Sequence, residues 1–168
     1  MMTKEENEQL TPVGPGTPMG DVLRHYWYPV AFTRELDEFP VKSTRLLGEN
    51  WAVFKTGDDS YGIVDERCPH RGASLVYGIV EKDGLRCGYH GLLFNPAGVC
   101  VEVPGLASAP PKAFVRRYPL HLKNRWLFVW MGDPALADPA LLPDNFSCDH
   151  ADWKHKPGYL HYDTPYLL

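Results

Sequence analysis

Two short segments constrain this chain more than anything else in it: Cys68-Pro69-His70-Arg71-Gly72 and Cys87-Gly88-Tyr89-His90-Gly91, with sixteen residues between His70 and Cys87. Each offers one thiol and one imidazole, so two loops together present two sulfurs and two nitrogens. That set reads as a metal site, and the order of the donors narrows the choice of metal. A structural zinc site accepts two sulfurs and two nitrogens, but its usual spacing places like ligands together on each arm. Here Cys-x-His is followed by Cys-x-x-His, and the two kinds are mixed on both arms.

In a Rieske centre one iron of a [2Fe-2S] cluster takes both cysteines and the other takes both histidines, so each loop can contribute one of each. On these residues the chain resembles the Rieske domain of ring-hydroxylating and O-demethylating oxygenases, whose paired motif the two segments fit position by position. The resemblance implies that Cys68 and Cys87 bind one iron as thiolates and that His70 and His90 bind the other through ring nitrogens. Arg71, Gly72, Tyr89 and Gly91 are then the positions surrounding the cluster or meeting a partner. Gly72 and Gly91 permit a close backbone approach, where amide N–H groups can point at inorganic sulfide. Pro69 stiffens the first loop.

The high-potential respiratory Rieske proteins carry an extra cysteine in each loop and a serine that donates to the cluster. This chain departs from them: Tyr89 precedes the second histidine, Leu92 follows Gly91, and no cysteine separates His70 from Cys87. Fewer hydrogen bonds to the sulfurs imply a lower potential, as in oxygenases and their ferredoxins, while imidazole ligation keeps it above that of plant-type ferredoxins.

Composition excludes several classes. A net charge of -4 without a basic stripe argues against nucleic acid or an anionic membrane surface as partner. No apolar run approaches membrane-spanning length, and the acid-rich start from Met1 to Gln9 lacks the pattern of a signal peptide, which places the protein in the cytoplasm. Sixteen prolines and fifteen glycines point to short strands and many turns. Of the four cysteines, Cys100 falls in a strand-like run and Cys148 in a polar loop, and both read as reduced, unpaired thiols.

The fold expected is all-β, a Rieske iron–sulfur domain of antiparallel sheets with a cluster-binding subdomain, preceded by a short helix. Residues 1–26 form an N-terminal helical segment, 27–132 the [2Fe-2S] domain, and 133–168 a linker and the opening strand of an otherwise absent catalytic domain. Thr3 with Glu6 suggests a capping box. Thr17 reads as an N-cap with Pro18 at the first helical position and Asp21 in the first turn, and Met19, Val22, Leu23 and Tyr26 make the apolar face of that helix. His25 on it reads as a surface residue. Strands are predicted at Tyr28 to Thr33, Thr44 to Leu47, Trp51 to Lys55 and Tyr61 to Val64, with Gly48-Glu49-Asn50 and Thr56 to Ser60 as turns. Segments Gly84 to Arg86 and Leu92 to Phe94 flank the second ligand loop, Asn95 to Gly98 turns the chain into Val99 to Val103, and Pro104 to Lys112 is an irregular connection. A hairpin through Lys123-Asn124-Arg125 closes the sheet.

The resemblance implies an electron-entry domain of a Rieske non-haem iron oxygenase. An NAD(P)H-dependent flavin and iron–sulfur reductase, or a ferredoxin, would reduce it. A mononuclear Fe(II) in the catalytic domain of a neighbouring subunit of a trimer would receive the electrons and act on an aromatic acid. By position, His90 would meet a carboxylate across that boundary. The amino-terminal half looks most like the phthalate dioxygenase branch, and the part from Gly132 onward more like the vanillate O-demethylase and dicamba monooxygenase branch. The tail from Gly158 to Leu168 is partly strand-like and looks cut off. His150, His155, His161 and Asp163 are its crowded metal-type residues, and their polar, post-linker context gives them surface or strand-packing roles rather than a facial triad. A stand-alone Rieske-type ferredoxin is the alternative, with a zinc-bound interaction module behind it; the linker and strand after Met131 are features a carrier does not need.

Overall fold

The structure, a computed structural model, describes residues 2–142, 150–154, 158 and 160. Helix α1, Lys4–Leu10, is closed by the expected box, since Thr3 accepts from the Glu6 amide and Glu6 accepts from the Thr3 amide. It buries no residue. Helix α2, Pro18–Leu23, begins at Thr17, whose hydroxyl accepts from the Gly20 amide at 3.2 Å. Its buried face differs from the predicted one. Leu23 packs on the core, but Val22 and Tyr26 are exposed, and Gly20 and Arg24 are turned inward instead. The cause is a charge: the Arg24 guanidinium reaches inward to Glu49 at 2.5 Å, and a Cβ on Gly20 would stand 2.2 Å from the Gly14 carbonyl oxygen.

Strand β1, Trp27–Phe32, runs into α3, Thr33–Glu38, a helix the periodicity did not suggest. Only Leu36 of α3 is buried, so the segment has no apolar stripe to announce it. It is fixed at its start by Glu35, which accepts from the Phe32 amide at 2.8 Å and pairs with Lys42 at 2.9 Å. Burial by itself raises the Glu35 pKa, but the Phe32 amide and Lys42 favour the anion more, and the net value lies below the ordinary 4.5. A carboxyl lowered by folding contributes stability above its unfolded pKa and loses it as pH falls through the folded value. Replacing Glu35 by glutamine is therefore expected to lower the denaturant midpoint at neutral pH and to make little difference at about pH 2.

Strands β2 (Val41–Leu46), β3 (Glu49–Lys55) and β4 (Tyr61–Asp65) form one antiparallel sheet in that order. The β2–β3 turn is tighter than predicted: Leu47 (φ 46°) and Gly48 (φ 77°) make it, and Glu49 and Asn50 already belong to the strand. Strands β5 (Ile79–Val80), β6 (Leu85–Arg86), β7 (Leu93–Phe94) and β8 (Cys100–Glu102) form a second sheet. Strands β9 (Leu120–Lys123) and β10 (Trp126–Trp130) join β1 in a third, ordered β1-β10-β9, with Asn124 and Arg125 at positive φ in the closing turn. The turns predicted at Asn95 to Gly98 and Thr56 to Ser60 are both present.

Strand β3 is the wall shared by two cores. Its alternate side chains Trp51 and Val53 join Val30, Leu36, Ile63, Leu127 and Val129 on one side. Ala52 and Phe54 face the other way, against Val64, Leu75, Leu85 and Phe94, together with Cys68, Cys87 and Cys100. This is why the strand reads Trp-Ala-Val-Phe without polar alternation. The two-core arrangement places both ligand-loop cysteines at the edge of the second core. After Met131 the chain makes two single helical turns, Pro134–Leu136 and Pro139–Leu141, capped by Asp133 and Asp138. Cys148, His155, His161, Asp163 and the strand expected after residue 158 lie outside the described residues. Among those described, no helix is long and apolar enough to cross a membrane.

Candidate metal centre

The first ligand loop leaves β4, and the second is the connection between β6 and β7. In each, a glycine turns the chain back beyond the histidine: Gly72 has φ 70° and Gly91 has φ 74°. A side chain at Gly91 would also stand 2.7 Å from the Pro104 ring. The positive φ is a second reason, besides close approach, for glycine at these positions.

Cys68 and Cys87 are both free and buried, 3% and 2% exposed. Burial pushes the Cys68 thiol up to about 11, the backbone amides of His70 and Arg71 pull it the other way, and the adjacent Cys87 thiol adds to the rise. The two imidazoles meet further out, with His70 exposed, His90 half-buried and their ring centroids 4.6 Å apart. Partial burial and the nearby charges of His70 and Arg71 lower the His90 pKa, favouring the neutral ring that can ligate a metal. Tyr89 lies against His90 at 3.7 Å between centroids, Arg71 is near enough to act on the His90 ring by its charge, and Arg71 and Gly72 are both exposed.

The donors are thus sorted by kind, sulfur inside and nitrogen outside. Among the described residues no group of three or more His, Cys, Asp or Glu side chains converges on a point that could hold one ion. A tetrahedral zinc site needs such a point. A cluster with one iron for each like pair does not, and the donor set fits it. Two other sulfur and nitrogen positions have partners of their own. The Cys100 thiol points to the Glu102 carbonyl oxygen at 3.3 Å, and His150 is exposed beside Asp152.

Sequence reading missed the arginines that brace the loops. Arg86 Nη1 donates to the Gly91 carbonyl oxygen at 2.6 Å while its other nitrogens pair with Glu81 and Glu102. Arg67 Nη1 donates to the Gly72 carbonyl oxygen at 3.2 Å. The available signal was the repetition itself, an arginine immediately before each cysteine and a glycine four residues after it.

Two loops at the tips of adjacent β-elements, each giving one buried thiol and one outward imidazole, define an iron–sulfur domain of the mixed-ligand type. The chain belongs to the Rieske [2Fe-2S] domain family, whose model matches residues 26–119. It is 40% identical over 138 residues to the 5,5'-dehydrodivanillate O-demethylase oxygenase subunit of Sphingobium sp., covering 79% of this chain and 32% of that one. It is 39% identical over 149 residues to the phthalate 4,5-dioxygenase oxygenase subunit of Pseudomonas putida, covering 85% and 34%. The crystal structure of dicamba monooxygenase with non-heme iron and dicamba superposes with a TM-score of 0.70 at 34% identity, over 77% of this chain and 39% of that one. The chain spans about a third of the length of these two curated relatives. The phthalate dioxygenase and O-demethylase relatives match at nearly equal overall identity, 39% and 40%.

Proposed function

We propose that the chain is the electron-entry part of a Rieske-type oxygenase and that Cys68, His70, Cys87 and His90 hold its [2Fe-2S] cluster. The observation that carries this is the sorting of the four donors, both thiols buried in the second core and both imidazoles at the surface. The cluster supplies one-electron transfer when bound. The chain's own residues fix where that electron enters and leaves: the apolar core shields the thiolate side, and the exposed histidine edge is the short path to a partner. Arg71 and Tyr89 flank that edge and would meet the partner first.

The wider reading follows the relatives, which are oxygenase components, and they favour it over a free ferredoxin. Residues 27–132 form the electron-transfer domain and 133–168 lead toward a catalytic domain holding a mononuclear iron. An NAD(P)H-dependent reductase or a ferredoxin delivers electrons, and subunits of a trimer pass them on to activate oxygen against an aromatic substrate. The first test is analytical. The purified chain should contain about two iron and two acid-labile sulfide, with a Rieske-type electron paramagnetic resonance (EPR) signal on reduction. Zinc without sulfide would overturn the assignment.

A further inference from the structure

Both ligand loops repeat one hydrogen-bond plan. The cysteine amide donates five residues ahead, Cys68 to the Ala73 carbonyl at 2.9 Å and Cys87 to the Leu92 carbonyl at 2.8 Å. The glycine amide donates back to the cysteine carbonyl, Gly72 at 2.8 Å and Gly91 at 3.0 Å. The arginine before each cysteine then closes the loop on the glycine carbonyl, and the histidine lies inside the closed segment.

The two arginines are anchored differently. Arg86 sits in β6 opposite Leu93 of β7, which in turn pairs with Glu102 of β8, so its guanidinium lies across the sheet. It is gripped there by Glu81, which follows β5, and by Glu102 at 2.9 Å, and its side chain is only 19% exposed. A planar fork with five donors can hold two carboxylates and a carbonyl at once, which lysine cannot. Arg67 is exposed and, among the described residues, its guanidinium pairs with no carboxylate, although its backbone amide donates to Asp65 at 2.9 Å.

We propose that Arg86 is a positioning residue for the second ligand loop: it ties the Gly91 carbonyl to Glu81 and Glu102 and so fixes the His90 ring relative to Cys87, with Arg67 as a weaker counterpart on the first loop. The inference rests on the four-residue cluster assignment proposed above. Partners that orient a ligating histidine govern metal retention and electronic structure. Arg86 also offsets the charges of Glu81 and Glu102, which without it would disfavour a centre that becomes more negative on reduction.

The test compares Arg86→Met, Arg86→Lys and Arg67→Met in the full chain. Iron and sulfide content, the EPR spectrum of the reduced cluster, the reduction potential and the rate of iron release to a chelator are measured for each. Arg86→Met is expected to release iron about tenfold faster or more, with shifted g-values and a lower potential. Arg67→Met is expected to stay within about twofold of the parent, as suits an exposed contact. Should Arg86→Met fail to fold by circular dichroism, Arg86→Lys carries the comparison: it keeps the charge, loses the fork, and is expected to shift the g-values and speed release while leaving the potential nearer the parent's. Parent-like spectra and release in the folded Arg86 variant, or equal damage from Arg67→Met, overturn the proposal. A parent chain lacking iron and sulfide overturns the cluster assignment first, and this inference with it.

Discussion

Cys87→Ser is expected to yield a folded chain with background iron, while Cys100→Ser keeps its full complement. The comparison is sharp because both thiols are buried in the same core, 2% and 3% exposed. Serine is close to cysteine in size, so the Cys87 backbone bonds to Leu92 and Gly91 survive the change. What is lost is the soft, ionisable sulfur: a hydroxyl stays protonated at neutral pH and is a poor ligand for iron in a sulfide cluster. Cys100 instead spends its thiol on the Glu102 carbonyl oxygen. Iron and sulfide analysis of both variants, beside their circular dichroism, decides the matter. Retention of more than about half the iron by Cys87→Ser would remove Cys87 from the ligand set.

Glu49→Ala is expected to cost about 3–5 kcal/mol, the usual penalty for breaking a buried ion pair from one side. Glu49 is 7% exposed and its Oε1 holds Arg24, itself 9% exposed, at 2.5 Å. Arg116 stands 2.5 Å from Oε2 in a second ion pair, and its guanidinium lies over the Trp51 ring at 4.7 Å. Arg116 is half-exposed and also pairs with Asp65, so it can relax toward water. Arg24 cannot, and without Glu49 its charge stays buried and unmatched. That loss is a large share of the roughly 5–15 kcal/mol that holds a domain together. Replacing Arg24 and Glu49 together by methionine should recover most of it. Denaturant midpoints of the single and double variants test both statements; a single-variant loss under about 1 kcal/mol would mean that water reaches the pair.

The same glutamate shows why part of the fold escaped the sequence. Gly48-Glu49-Asn50 has the composition of an exposed turn, and nothing nearby reveals that Arg24 and Arg116 will come to it from distant segments. Once they do, a charged residue can open a buried strand, and the turn shrinks to Leu47 and Gly48. Helix α3 was hidden for a related reason, since one buried leucine makes no pattern and its start depends on Glu35 meeting Lys42 across a turn. The strands, by contrast, were legible wherever apolar and β-branched runs stood between glycine and asparagine turns. The pairing of the two loops was legible because their cysteines and histidines are spelled out in consecutive residues. Arg86 was not, because an arginine before a cysteine has no meaning until Glu81 and Glu102 are seen beside it.

The loops spring from different sheets, the first from β4 beside β3 and the second from β6 and β7. A group bound by both is therefore a rivet as well as a redox centre. Binding that requires two sheets to be docked stabilises the docked state by the same free energy that docking lends to binding. The contact of Phe54 on the one sheet with the core of Leu85 and Phe94 on the other thus belongs to the cofactor's affinity, although none of these side chains carries a donor atom for iron. With the cluster held by both loops as proposed, electron transfer and sheet packing would draw on one shared equilibrium.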